Sequence, residues 1–300
     1  MPADDFLKVT ESISRRQNAG EITVVLTGGE PLLRNDLADI GRRLRSQGFR
    51  WSLVTNGYLL EPKRLNELLN AGLGAITVSL DGPAAEHNWL RNNPNSYRRA
   101  VETIRLVARA RRLNSDVVTC VNQRNIGLLP EIQEILSKTG IRKWRLFTIT
   151  PIGRAEGIDD LSLSGDQLNQ LFRFIENNRN SGDLPEASFS CESYLGNFEG
   201  KARDGYFFCR AGIHIGSVLA DGGISACPNI DRKLVQGNIY KDDFNRVWEE
   251  EFLPFRDREW TKIHECSNCN QYRYCGGNGM HWWDYEERRM HGCNYLKNDQ

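Results

Sequence analysis

The sequence has no run of about eighteen apolar residues, so no membrane-spanning helix is expected. It has no excess of charge either. Its 39 Lys and Arg balance 39 Asp and Glu, which advertises neither nucleic acid nor an anionic membrane as a partner. The opening residues, MPADDFLKVTESISRR, lack the basic start and apolar stretch of a secretory signal. Internal repeats and low-complexity tracts are missing too. Cysteine is almost absent from the first 190 residues, where Cys120 stands alone inside an apolar run that reads as core. The other cysteines crowd the tail: Cys191, Cys209, Cys227, Cys266, Cys269, Cys275 and Cys293. A disulfide framework staples small secreted domains rather than the end of a large chain. These thiols are therefore expected reduced, on metal, in the cytoplasm.

What is present begins with alternation. Short apolar runs rich in Val, Ile, Thr and aromatics occupy 22–27, 51–55, 75–80, 116–121 and 143–149, as buried parallel strands do. Between them, apolar residues recur at helical spacing: Leu37, Ile40 and Leu44; Leu65, Leu68 and Leu69; Tyr97, Val101, Ile104 and Ala108; Ile132, Ile135 and Leu136. Repeated strand–helix units predict a parallel sheet with right-handed crossovers, either open or closed into a barrel. The chain opens on a helix, with Phe6, Val9 and Ile13 as its expected stripe, and no strand before it to pack upon. That leaves the 22–27 strand expected to show an apolar edge. A change of texture sets a boundary at 183/184. Beyond it a hairpin is predicted around Asp221-Gly222-Gly223, and a short helix in DDFNRVWEEEFLPF.

In parallel sheets, ligands sit at the carboxyl ends of the strands. Gly28, Gly29 and Glu30 of LTGGEPLL lie at such an end. Two glycines clear side chains from a site, and Glu30 can accept hydrogen bonds from an ammonium group. The plainer alternative is a tight turn into a helix at Pro31. Other strands also end in polar and glycine residues, in TNG (55–57), SLDGP (79–83) and TPIGRA (150–155), and Arg91 adds a partner for a carboxylate or phosphate. Together they suggest a zwitterion carrying a ribose. In the tail, Cys266-x2-Cys269-x5-Cys275 with Cys293 supplies four soft ligands, for iron–sulfur or for a structural zinc knuckle. Cys209 and Cys227 form a second pair, with Cys191 free or a further ligand. His87, His281 and His291 read as satisfied surface groups, and the aromatics at 281–285 as packing.

These stretches resemble a known family. TGGEPLL, VTNG, SLDG and PIGRA look like the barrel of radical S-adenosylmethionine (SAM) enzymes. The tail, as Cys209, Gly222, Cys227, Cys266, Cys269, Cys275 and Cys293, is similar to their SPASM extension. The resemblance implies an α/β fold: a partial (β/α)6 TIM-like barrel missing its first strand (residues 1–183), then a small Cys-rich iron–sulfur domain (184–300). It implies SAM bound by the Gly28–Gly29–Glu30 strand end, with Glu30 on the methionyl amino group, Ser79 near the ribose or sulfonium, and Arg91 on the carboxylate. It implies one or two auxiliary clusters, a peptide or protein substrate, and an electron donor such as flavodoxin or ferredoxin. No catalytic side chain is assigned. Two departures matter. The family's Cys-x3-Cys-x2-Cys triplet is absent, so Met1 is expected to be an internal start or the chain truncated, and radical chemistry is not expected of it as written. Gly279 stands where the family has the cysteine that completes the first auxiliary cluster. Pro228 and Asn229 follow Cys227, with no acid to act as a base, which argues against sulfatase-maturase chemistry. The expected function is a maturase that modifies a peptide or protein side chain through a 5′-deoxyadenosyl radical. The alternatives are a non-catalytic relative that binds a peptide with a structural zinc or an electron-transfer cluster, and a barrel enzyme whose glycine turn holds phosphate.

Overall fold

The computed structural model describes residues 1–151, 153–190 and 192–298. The chain divides into two units. One holds Gln17–Ser190 with Lys201–Asp204, the other Met1–Arg16 with the cysteine-rich tail.

The first unit is built on a six-stranded sheet, β1 (Thr23–Leu26), β2 (Arg50–Thr55), β3 (Leu73–Ser79), β4 (Asn114–Val121), β5 (Lys143–Thr148) and β6 (Glu186–Phe189), paired in that order. Every pairing is parallel. This is the partial-barrel sheet expected, with β1 and β6 as its edges. Val25 on β1 is 51% exposed. The sheet runs past the 183/184 boundary: β6, absent from the strands expected, pairs with β5 from Lys143↔Glu186 to Leu146↔Phe189.

Strand residues alternate between faces. Trp51, Leu53, Ile76, Val78, Val117, Trp144 and Leu146 point one way and are almost fully buried, and each such side chain contributes about 1.5–3 kcal/mol. Helices cover that face: α2 (Leu37–Ser46), α3 (Pro62–Asn70), α4 (Ala84–Arg91), α5 (Ser96–Ala108), α6 (Leu129–Ser137) and α7 (Gly165–Ser181), α1 being the N-terminal helix described below. Their stripes are the predicted ones, with Leu37, Ile40, Leu44, Leu68, Ile104 and Ile132 at 0–1% exposure. A capping box opens α7, Ser164 Oγ accepting from Gln167 N while Gln167 Oε1 accepts from Ser164 N. The opposite face is polar. Thr77 Oγ1 donates to Asp116 Oδ1 at 2.6 Å, and Arg145 donates to both.

The second unit gathers the tail and α1 (Ala3–Ser14). The sequence reading counts this helix with the barrel; by its contacts it groups with the tail. Tyr240 Oη donates to Asp5 Oδ2 and Asn245 Nδ2 to Ser12 Oγ, both at 2.9 Å. The buried positions of α1 are Leu7 and Thr10, with Phe6, Val9 and Ile13 only partly covered. The predicted hairpin forms as β7 (Ser217–Val218) and β8 (Gly223–Ser225), extended by β9 (Gly237–Asn238). The predicted 242–255 helix is broken into short turns around Val247, Phe252 and Phe255, which are buried with Ile224, Met280 and Trp283.

Candidate functional site

The carboxyl ends of β1 to β4 carry the first cluster of site residues. β1 ends in Gly28 and Gly29, with φ of +83° and +48°. That is left-handed backbone, which favours glycine, and a Cβ at either position would meet nothing within 4 Å. The turn is therefore glycine for its conformation and leaves space above it. Glu30 follows, and its carboxylate is already engaged. Thr55 Oγ1 donates to Oε1 at 2.7 Å, the Leu32 amide to Oε1 at 3.0 Å, and the Asn56 amide to Oε2 at 2.8 Å. Thr55 lies opposite Val78 in the sheet, so Asn56 and Ser79 continue side by side at the strand ends. Ser79, 8% exposed, closes β3.

Arg91 ends α4, and it is not free. Its Nε and Nη2 both lie 2.7 Å from Asp81 Oδ2. Asp81, the aspartate of SLDG, is a site residue that the sequence reading misses. Its side chain is fully buried, and that of Arg91 is 30% exposed. Burial alone raises the Asp81 carboxyl, but the neighbouring His87 ring, the Arg91 guanidinium and the Cys120 amide more than offset it, and it stays below the usual carboxylate range. Burial likewise works against the Arg91 charge. Asp81 above all, then Cys120 and Glu30, outweigh it and raise an already high pKa. Glu30 thus acts on Arg91 across the same strand ends.

Two expectations are corrected here. His87 is not a surface group: it is helical and 0% exposed, and its Nδ1 accepts the Asp81 amide at 3.0 Å. That bond leaves the proton on Nε2, which faces Ser96 Oγ at 3.1 Å. Cys120 is not core. It is half-buried on the polar face of the sheet, and its amide donates to Asp81 Oδ1 at 3.0 Å.

The tail carries the second cluster. Cys266, Cys269, Cys275 and Cys293 line one pocket together with Tyr194, Tyr272, Asn278, Met290 and Tyr295. Burial first, and then the other three sulfurs, push the Cys266 thiol up to about 12. Burial also raises Cys275 and Cys293. Against it, the amides of Gly277 and Asn278 donate to Cys275, and those of Tyr295 and Leu296 to Cys293. Amides aimed at sulfur favour thiolate and tune a bound cluster. Among the described residues, no three His, Cys, Asp or Glu side chains are gathered closely enough to hold a single metal ion. The four cysteines nevertheless line a single pocket.

Cys209 and Cys227 fit a cluster less well. Cys209 is buried, and its Sγ accepts the Met280 amide at 3.5 Å. Tyr285 lies near both thiols and donates to Met280 O at 3.0 Å. At Gly279, where a third sulfur would come from, a Cβ would stand 2.4 Å from Glu192 O and 2.8 Å from the His281 ring. Position 279 has no room for a cysteine in this backbone, and Cys191 lies outside the described residues. His281 is held neutral, burial pushing its pKa down to about 4. Among the described residues, no helix is long and apolar enough to cross a membrane.

Residues 1–136 match the radical SAM superfamily model, and residues 209–270 match SPASM, an iron–sulfur cluster-binding domain. The AdoMet-dependent heme synthase of Nitratidesulfovibrio vulgaris is 22% identical over 306 residues, covering 92% of this chain and 82% of that protein. Mycofactocin maturase MftC of Mycolicibacterium smegmatis is 28% identical over 262 residues, covering 86% of this chain and 65% of the maturase. Among solved structures, native anSMEcpe with bound AdoMet and a peptide superposes with a TM-score of 0.72 at 18% identity, over 98% of this chain and 86% of its own. Streptococcus suis SuiB bound to precursor peptide SuiA gives 0.73 at 14% identity, over 92% and 64%. At such identities the structures show a shared fold.

Proposed function

We propose, from the premise that this chain belongs to the radical SAM superfamily and carries a SPASM iron–sulfur domain, that it modifies a side chain of a peptide or protein with a radical derived from SAM. The observation that carries this is the tail: four sulfurs on one space, two of them met by backbone amides. Cys266, Cys269, Cys275 and Cys293 would hold an auxiliary cluster, which supplies one-electron chemistry when bound. Cys209 and Cys227 do not complete a second cluster with the residues described. At the strand ends, Gly28 and Gly29 give room, Glu30 offers its carboxylate to an ammonium group, and Arg91 a guanidinium to a carboxylate; Ser79 lines the space between. A Cys-x3-Cys-x2-Cys triplet is not among these residues, and the cleavage of SAM is assigned to none of them. A peptide substrate is supported by the maturase MftC and by SuiB with its precursor peptide. A reduced flavodoxin or ferredoxin would supply electrons. The second reading is a tetrapyrrole substrate. It is favoured by the heme synthase relatives, of which the alignment covers 82%, against 65% for the maturase.

Anaerobic reconstitution with iron and sulfide tests the proposal. About four iron and four sulfide per tail, with brown absorbance lost in Cys269→Ser, is the expected result. A colourless protein that takes zinc alone would refute a redox role. Titration with a precursor peptide and with a porphyrin bearing carboxylates then separates the two substrate readings.

A further inference from the structure

We infer that Asp81 is a positioning residue for Arg91, deciding which edge of the guanidinium is turned toward the methionyl carboxylate of SAM. The inference rests on reading the strand ends as a SAM site. Every polar group of Asp81 is partnered. Its amide donates to His87 Nδ1 at 3.0 Å, and its carbonyl accepts from Asn125 Nδ2 at 2.7 Å. Its Oδ1 accepts the Cys120 amide at 3.0 Å, and its Oδ2 accepts Arg91 Nε at 2.7 Å. Four elements thus meet on one buried residue: the end of β3, the helix α4, the strand β4 and the turn after it. His87 and Arg91, four residues apart, lie on one face of α4. His87 is fixed in turn by Ser96.

A guanidinium has five N–H groups in a rigid fork. Asp81 Oδ2 accepts the Nε–H, and Nη2 lies 2.7 Å from the same oxygen. The edge left over is Nη1 with the second Nη2 hydrogen, and that edge can grip a carboxylate bidentately. Asp81 is fully buried, whereas the Arg91 side chain is 30% exposed. An asparagine at position 81 could not serve both neighbours. Its NH2 would face either the Cys120 amide or the Arg91 guanidinium, donor against donor.

The test compares two ligands by calorimetry. SAM carries the methionyl carboxylate, and 5′-methylthioadenosine is a related nucleoside without it. Asp81→Asn is expected to weaken SAM about tenfold or more while changing 5′-methylthioadenosine less than about twofold. Arg91→Lys, which keeps the charge and loses the fork, is expected to give the same pattern with Asp81 itself in place. Equal weakening of both ligands by Asp81→Asn would make Asp81 merely structural and overturn the inference. So would Arg91→Lys binding SAM as the wild type does. A wild-type chain that binds 5′-methylthioadenosine and SAM equally would overturn the carboxylate contact alone, and one that binds neither would remove the SAM site itself.

Discussion

Replacing Thr55 with valine keeps the shape of the side chain and removes one hydroxyl. In the structure that hydroxyl has two duties. It donates to Glu30 Oε1 at 2.7 Å and accepts the Gly57 amide at 3.0 Å. Thr55 is 2% exposed, so water replaces neither partner. A hydrogen bond to a charged group contributes about 1.5–3 kcal/mol, and an orphaned buried donor costs about 1–3 kcal/mol. The added methyl returns about 0.8 kcal/mol. The net loss is therefore about 2–5 kcal/mol, confined to the junction of β1 and β2. Hydrogen exchange measures this locally, without interference from melting of the tail. The amides of Leu32, Asn56 and Gly57 are expected to exchange about thirtyfold faster or more, since each 1.4 kcal/mol is tenfold. Thr55→Ser keeps both bonds and is expected to exchange within a few-fold of wild type. If valine leaves these amides protected, or serine exposes them as valine does, the Glu30 carboxylate is not held by Thr55 and the account of the turn is wrong.

Two further outcomes follow from the tail. Burial holds His281 near a pKa of about 4, against an ordinary 6.5. The folded form therefore refuses a proton that the unfolded chain takes up as pH falls below 6.5. Stability is complete above 6.5 and declines toward pH 4 by up to about 3 kcal/mol. Melting temperatures across that range should flatten in His281→Phe, and an unchanged slope would assign the loss to other groups. Gly279→Cys places a Cβ 2.4 Å from the Glu192 carbonyl. It is expected to lower the melting temperature and to add no iron on reconstitution; a gain of about four iron would show that the backbone yields and that a second cluster can form.

The strands β1 to β5 are legible because short runs of β-branched and aromatic residues mark them, and the helical stripes because 3.6-residue spacing is dense in α2, α3, α5 and α6. β6 is not. Its four residues, EASF, carry too short a pattern, and only pairing with β5 makes them a strand. The stripe of α1 has the same form whichever surface it packs on, so its place with the tail cannot be read from the stripe itself. The cysteine spacing carries the tail chemistry, since Cys-x2-Cys turns two sulfurs inward by local geometry alone. Position 279 visibly lacks a sulfur, but the carbonyl filling its space comes from Glu192, far away in sequence. The pairing of Arg91 with Asp81 is equally hidden. A basic residue ten positions after an acid carries no periodic signal, and only the return of α4 over the end of β3 brings them together.

That hidden pairing changes what the strand ends can recognise. Taken as free groups, Glu30 and Arg91 would attract any opposite charge. Taken as built, each has most of its capacity spent. A carboxylate offers about four lone-pair sites, and Glu30 uses three of them on Thr55, Leu32 and Asn56. The remaining one is on Oε2, a single directed acceptor. Arg91 keeps one free edge after Asp81 has taken the other. What remains is one acceptor and one two-pronged donor, both held by bonds that a ligand need not form on arrival. Preorganised groups of this kind lose little entropy on binding, and they discriminate by geometry as well as by charge. A phosphate would satisfy Arg91 and be repelled by Glu30, whereas an amino acid terminus, with ammonium and carboxylate on one carbon, can answer both. The unspent hydrogen-bonding capacity therefore argues for a zwitterion and against the phosphate-binding alternative.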